Sequence, residues 1–383
     1  MLRISATTFI ALAALAAAGA PASADMKVGI TISATGPGAA LGTPEMKTVP
    51  VLPSEIAGQK VQYFPLDDAS DATKSATNVR KFVTEDKVDV LMGSTLTFTT
   101  LPLIDIAAES KTPLLATTAG SVLVDPVDEK RKWVFKVVPN DRIGALALAR
   151  YMAKQGIKTV GFLAFNDAYG EAWTKEVNKA FPDNGMKIVA SETYARTDTS
   201  TTAQTLKLIA ANPDAIFIAA SGTPATVPAR ELREHGYKGP MFQTHGVASP
   251  AFIQAGGKDV EGTVISAEPF VVASQLPDDS PFKKVGLDYV AKYKEVNGTP
   301  PAIFGAHLVD GMSIVAAAMP EALKKGAPGT EAFRVALRDA MEQVKGLYLN
   351  NGLLTMTPTD HCGYQESSAL IMKVENGAFK LIQ

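Results

Sequence analysis

The feature that most constrains the fold is a regular alternation of short apolar runs with longer helical stretches. Residues 215–219 read Ala-Ile-Phe-Ile-Ala, and residues 160–163 read Val-Gly-Phe-Leu. Unbroken apolar runs of this length are typical of strands buried on both faces, as in parallel sheets. Such strands alternating with helices predict doubly wound α/β lobes.

The alternation predicts individual strands and helices, and then a terminal hairpin. The predicted strands cover 27–32, 61–66, 88–92, 113–116, 159–164, 187–191, 215–219, 241–244 and 263–267. The predicted helices cover 72–85, 100–109, 143–155, 171–181, 202–211, 225–235 and 282–297. The hairpin covers 368–381 and turns at Asn376-Gly377, a dipeptide that two-residue turns prefer.

One crossover helix should be irregular. Residues 42–58 follow the first predicted strand but contain Pro44, Pro50 and Pro53. A proline inside a helix costs about 3 kcal/mol because it removes a hydrogen bond and clashes with the preceding turn. We therefore expect a shortened or broken helix there.

The first 24 residues have the layout of a secretory signal peptide. Arg3 precedes an apolar stretch at 9–20, and the small residues Ala22-Ser23-Ala24 end it before Asp25. The apolar stretch is shorter than the roughly 20 residues of a membrane span. We expect cleavage before Asp25 and a periplasmic protein, with a retained N-terminal anchor as the alternative.

The chain that remains is long enough for two lobes. Removing 24 of the 383 residues leaves 359, more than one typical core holds. Chain crossings near 139, 268 and 345 would form a hinge. We assign 25–139 plus 268–345 to the first lobe, and 140–267 plus 346–383 to the second.

Composition and motifs argue against several classes of function. The 37 basic and 39 acidic residues nearly balance, so no nucleic-acid partner is expected. The single cysteine, Cys362, can form neither an internal disulfide nor a cysteine-built zinc site. Gly36 and Gly38 resemble a dinucleotide fingerprint, but Leu41 stands where its third glycine belongs. No catalytic motif occurs, and we expect no enzyme activity, no cofactor and no metal.

Three hydroxyl-rich loops follow predicted strands of the first lobe, at 33–40, 93–100 and 117–121. The carboxyl ends of parallel strands are where ligands bind in open α/β sheets. Hydroxyls and free backbone N–H groups form a neutral anion site, although single loops of this kind often only cap helices. Three together favour a site for a carboxylate. The nearby acids Asp67, Asp68 and Asp71 are interpreted as a solvated turn that caps the next helix, with a cation site as the alternative.

These features together resemble a known family. The chain is similar to the periplasmic binding proteins of ABC importers in the leucine/isoleucine/valine-binding class. The resemblance covers the whole chain after the leader and is carried by Thr35-Gly36-Pro37, the loop at 93–100, Asn166-Asp167-Ala168-Tyr169-Gly170 and Met356-Thr357-Pro358-Thr359-Asp360-His361. It implies the type I fold, in which two lobes joined by a hinge close on a ligand.

The resemblance also implies ligand-binding residues. Thr97, the backbone around Ala119 and Ser121 would hold a carboxylate. Tyr169 would close over the ligand from the second lobe, and Ser221 stands where the family often has an aromatic residue. Two further residues, Leu41 and Phe98, would complete the walls.

One departure from the family changes the expected ligand. Amino-acid binders carry a carboxylate after the strand at 241–244, which pairs with the α-ammonium of the ligand, and here that position is His245. An ammonium buried without an anion costs several kcal/mol. We therefore expect an aromatic acid such as a benzoate or cinnamate, with His245 or His307 hydrogen-bonded to a ring hydroxyl.

The expected partner is an inner-membrane ABC permease, on which the protein would dock as a monomer. The alternatives are an amino-acid binder in which an acid such as Glu268 reaches the ammonium, a ligand-sensing receptor subunit, and an exported hydrolase.

Overall fold

The computed structural model describes residues 25–382. The predicted leader, residues 1–24, and Gln383 lie outside the described residues. Two mixed α/β lobes form, each built around its own sheet, so the predicted fold class is confirmed.

Fifteen strands are formed within the described residues. They are β1 (Met26–Ile32), β2 (Glu55–Ile56), β3 (Gln59–Asp67), β4 (Val90–Met92), β5 (Leu114–Ala116), β6 (Val134–Lys136), β7 (Thr159–Phe165), β8 (Lys187–Tyr194), β9 (Ala215–Ala219), β10 (Met241–Gln243), β11 (Val264–Ala267), β12 (Leu347–Leu349), β13 (Gly352–Leu354), β14 (Leu370–Glu375) and β15 (Ala378–Leu381). All nine predicted strands are present. The sequence analysis missed the short strands β2, β6, β12 and β13.

The sheet of the first lobe has the order β2-β3-β1-β4-β5-β6, and all its pairs except β2–β3 are parallel. The sheet of the second lobe has the order β15-β14-β11-β10-β9-β7-β8, with an antiparallel edge at β14 and β15. That edge is the predicted hairpin. Asn376 and Gly377 both have positive φ, 54° and 70°, as a two-residue primed turn requires.

Twelve helices cover the sheets within residues 25–382. They are α1 (Ala39–Thr48), α2 (Ala72–Lys81), α3 (Thr97–Thr100), α4 (Leu103–Ser110), α5 (Asp141–Lys154), α6 (Ala168–Asp183), α7 (Thr202–Ala210), α8 (Thr226–Glu234), α9 (Pro250–Gly256), α10 (Pro281–Asn297), α11 (Ile303–Leu323) and α12 (Glu331–Met341). The first crossover helix is short, as expected, because α1 ends at Thr48 and a 3-10 turn at Val49–Val51 follows it.

The core of the first lobe extends further along the chain than predicted. Helices α11 and α12 pack together in the first lobe, and α11 also packs on α1. The segment 346–364, assigned to the second lobe from sequence, contributes Leu354, Met356 and Cys362 to the first core. His361 stacks on Phe135 of β6 with ring centroids 4.2 Å apart. The third crossing therefore follows Tyr364, because the side chains of 346–364 find their apolar partners in the first lobe.

Candidate functional site

A cavity of about 340 Å³ lies between the lobes at the carboxyl ends of their parallel strands. The first lobe contributes the loops that follow β4 and β5, together with side chains from α1 and α11. The second lobe contributes residues that follow β7, β8, β9 and β10. This volume includes space that is open to solvent. A ligand bound here would contact residues of both lobes.

Hydroxyl groups form the first-lobe side of the cavity. Thr95, Thr97, Thr117 and Thr118 all line it, and the Oγ1 atoms of Thr97 and Thr118 are 3.2 Å apart. Helix α3 begins at Thr97, so backbone N–H groups of its first turn also lie at this side. Hydroxyls can donate to a carboxylate without adding a fixed charge.

A buried polar network supports these loops from behind. Asp68 is fully buried and accepts hydrogen bonds from Ser33 at 2.7 Å and Ser94 at 2.5 Å. The sequence interpretation of Asp68 as part of a solvated turn is therefore wrong, although Asp71 does cap α2 by accepting from the Lys74 N–H. These hydrogen bonds to Asp68 are needed because the polar groups of the loops are buried away from water.

Arg196 is the main cavity residue that the sequence analysis missed. Its guanidinium pairs with Asp167, donates to Ser221 Oγ at 2.7 Å, and lies 4.1 Å from the centre of the Phe165 ring. Both charged side chains of the pair are largely buried. The sequence analysis ended β8 at residue 191, whereas the strand continues to Tyr194 and carries Arg196 to the cavity.

Tyr169 stands at the start of α6 and closes the cavity from the second lobe. Its hydroxyl lies 2.7 Å from Thr244 Oγ1, which in turn donates to the Ala220 carbonyl. Asp167 caps α6 by accepting from the backbone N–H groups of Tyr169 and Gly170. Burial raises the pKa of Tyr169 far above its ordinary value, so the phenol is neutral.

Two neutral histidines line the cavity from opposite lobes. His307 on α11 is 3% exposed, and neither of its ring nitrogens has a hydrogen-bond partner within residues 25–382. His245 follows β10, with its ring centroid 6.0 Å from that of Trp173. Burial lowers the pKa of both rings to about 3. Each ring can therefore donate one hydrogen bond and accept one at neutral pH.

None of the fifteen described residues that line the cavity is acidic. Two acids contact lining residues from behind: Asp167 pairs with Arg196, and Glu45 on α1 accepts from Thr95 Oγ1. Burial raises the pKa of Glu45 to about 8, so it is protonated at pH 7. Glu268, the acid considered for an amino-acid ligand, is buried outside the lining.

The structure brings together seven of the nine residues named from sequence. They are Leu41, Thr97, Ala119, Tyr169, Ser221, His245 and His307. Phe98 and Ser121 do not line the cavity. The loop after β5 presents Thr117, Thr118 and Ala119, and Ser121 already belongs to a 3-10 turn that leads away. Whether the seven bind a ligand stays a prediction.

Within residues 25–382, no group of three histidine, cysteine or acidic side chains could hold a metal ion. The site therefore offers hydrogen-bond donors, one compensated guanidinium and apolar walls.

Known proteins share this architecture over nearly the whole chain. The family described as periplasmic binding protein matches residues 25–378. An extracellular ligand-binding receptor from Rhodopseudomonas palustris HaA2 is 55% identical, with 94% of this chain and 100% of that chain covered and a TM-score of 0.92. A solute-binding protein of an ABC transporter from R. palustris, solved in complex with benzoate, is 19% identical, with 94% and 96% covered and a TM-score of 0.80.

Curated relatives point to the same class. Leu/Ile/Val-binding protein homolog 1 of Brucella suis biovar 1 is 23% identical over 351 residues, which are 88% of this chain and 91% of that protein. The resemblance noted from sequence is confirmed by these matches. The chain belongs to the periplasmic binding protein family and has its type I fold.

Proposed function

We propose that this protein is the substrate-binding component of an ABC importer and captures a small aromatic acid, such as a benzoate or cinnamate derivative. It works in the periplasm after removal of its leader and delivers the ligand to an inner-membrane permease as a monomer. Membership of a family of solute-binding proteins supports this role, and hinge closure around the ligand fits the two-lobe cavity.

The observation that carries the ligand class is the absence of an acid among the described lining residues. An amino acid would bring its α-ammonium into a space where Glu45 is protonated and His245 is neutral. Burying that ammonium without an anion costs several kcal/mol. A carboxylate alone meets the hydroxyls of the first lobe and the guanidinium of Arg196 instead.

The rest of the lining suits an aromatic ring. Leu41, Leu96, Val138 and Phe304 provide apolar surface around the polar groups. The unpartnered nitrogens of His307 would accept or donate a hydrogen bond to a ring substituent. The benzoate-bound neighbour shares the fold with this chain, so the ligand class here depends on the residues of the cavity.

The rival function is capture of a branched-chain or other amino acid, as the names of the curated relatives suggest. In this cavity the rival needs an acid that reaches the ammonium. Glu268 lies outside the lining, so we expect Glu268→Gln to leave ligand binding unchanged.

Isothermal titration calorimetry on the chain without its leader tests the proposal with a matched pair. L-Phenylalanine and 3-phenylpropanoate share a ring and a carboxylate and differ in the α-amino group. We expect 3-phenylpropanoate, cinnamate or benzoate to bind and phenylalanine, leucine and valine not to bind. At 100 times its dissociation constant a ligand adds about 2.7 kcal/mol to stability, which a thermal-shift screen detects. Binding of the amino acids alone would overturn the proposed ligand class.

A further inference from the structure

A buried lysine lies directly behind the wall of the cavity. Lys136 is the last residue of β6 and is fully buried. Its ammonium donates to the carbonyl oxygen of Ala119 and to Asn140 Oδ1 at 2.6 Å. Both acceptors are neutral, and the ammonium forms no ion pair with a carboxylate of the described chain.

The contacts of Lys136 connect it to the site and to the hinge. Ala119 lines the cavity, and Asn140 lies in the first crossing between the lobes. The charge of Lys136 also acts on His245 in the opposite wall, where it adds to the effect of burial and lowers the pKa of that ring. The charge of Lys136 therefore acts on a residue that lines the cavity, although Lys136 itself does not line the cavity.

No carboxylate of residues 25–382 pairs directly with Lys136. Burial lowers its pKa, and the groups that act in the opposite direction are Cys362, Asp141, Asp360 and Glu176. Asp141 is itself fully buried, and burial raises its pKa to about 7.

The other cation at the site is already neutralised. Arg196 pairs with Asp167, so that pair brings no net charge to the cavity. A buried charge without a partner is costly, and a ligand that supplies the opposite charge recovers part of that cost. An anionic ligand would do so for Lys136.

We propose, on the basis of the proposed function, that Lys136 is a positioning residue that makes the cavity select anions over neutral molecules of the same shape. Its hydrogen bond to the Ala119 carbonyl oxygen holds it directly behind the wall of the cavity. Its charge then attracts the carboxylate through the wall of the cavity.

The test compares acids with their primary amides in Lys136→Met. Calorimetry with benzoate and benzamide, and with 3-phenylpropanoate and its amide, separates charge from shape. We expect the acids to bind roughly tenfold more weakly and the amides within about twofold of the unsubstituted protein. Equal weakening of acids and amides, or unchanged acid binding, would overturn the proposal. Lys132→Met makes the same change in net charge at a partly exposed position and should have no effect.

If Lys136→Met does not fold, a second measurement tests the same proposal. NMR of the unsubstituted protein with ¹³Cε-labelled lysine follows the titration of Lys136, and its signal is assigned by its loss in Lys136→Arg. A tenfold preference for the charged form corresponds to a rise of about one pKa unit when the acid binds. No rise with the acid, or an equal rise with the amide, would contradict the proposal.

The two proposals fail in different ways. If the protein binds leucine and no aromatic acid, the proposed function is wrong. In that case the affinities of Lys136→Met for leucine and leucinamide test the role of Lys136. Weaker binding of leucine alone, relative to the unsubstituted protein, would support it, and equal weakening of both would overturn it. Absence of binding to every one of these carboxylates would overturn both.

Discussion

Replacing Asp167 by asparagine should lower stability and raise affinity for a carboxylate in one variant. The Asp167 and Arg196 side chains are 18% and 7% exposed and form an ion pair. Removing one partner of a buried pair costs about 3–5 kcal/mol because the other charge stays buried. The lower end applies here, about 3 kcal/mol, because Ser221 and the Phe165 ring still contact the guanidinium. Asparagine can still cap α6, so this variant removes the charge without removing the cap.

Urea denaturation without ligand measures the loss. Trp173 lies in the second core and Trp133 in the first, so a Trp133→Phe background makes Trp173 fluorescence report on the second lobe. Asp167→Ala should lose about 1 kcal/mol more than Asp167→Asn, since it also removes the cap. Calorimetry should show tighter binding of the acid once Arg196 is uncompensated. An unchanged urea midpoint in Asp167→Asn would refute the reasoning about the pair.

Three further predictions concern single residues. Thr97→Val should weaken binding of the aromatic acid by about 1–3 kcal/mol because a hydroxyl donor is lost; unchanged affinity in calorimetry would remove Thr97 from the site. His245→Ala should change the preference among ring-substituted acids with little effect on the unfolding midpoint, and an identical ligand profile would contradict it. Burial raises the pKa of Glu45 from 4.5 to about 8 in the folded state, so the folded state holds this proton more tightly, and stability falls as pH rises from about 4.5 to about 8 and levels off above that. Thermal unfolding between about pH 5 and 8 should show a smaller fall for Glu45→Gln.

Local patterns were sufficient for the parallel strands and for the first crossover helix. Residues 215–219 form β9 with the predicted bounds, because an unbroken apolar run has few alternatives to a buried strand. The prolines after Thr48 shorten α1 through local backbone chemistry. Strand β6 was missed because it has three residues and ends in a lysine, which is rarely buried.

Packing between residues far apart in the sequence could not be predicted from local patterns. The segment 346–364 joins the first lobe because Met356 and Cys362 find apolar partners far away in the chain. Which individual residues line the site could not be predicted from local patterns either. Whether Thr118 or Ser121 faces the cavity depends on where the loop turns after β5. Arg196 was missed because its position depends on the length of β8.

The route of the chain between the lobes also determines when each lobe can fold. The core of the first lobe begins at Met26 and still includes Tyr364. The second sheet lacks its antiparallel edge until residues 370–381 are made, and β11 is unprotected until then. Neither core is complete before nearly the whole chain has been synthesised, so contacts of high sequence separation delay folding. Both lobes therefore reach their final packing only after the last strands of the chain are available.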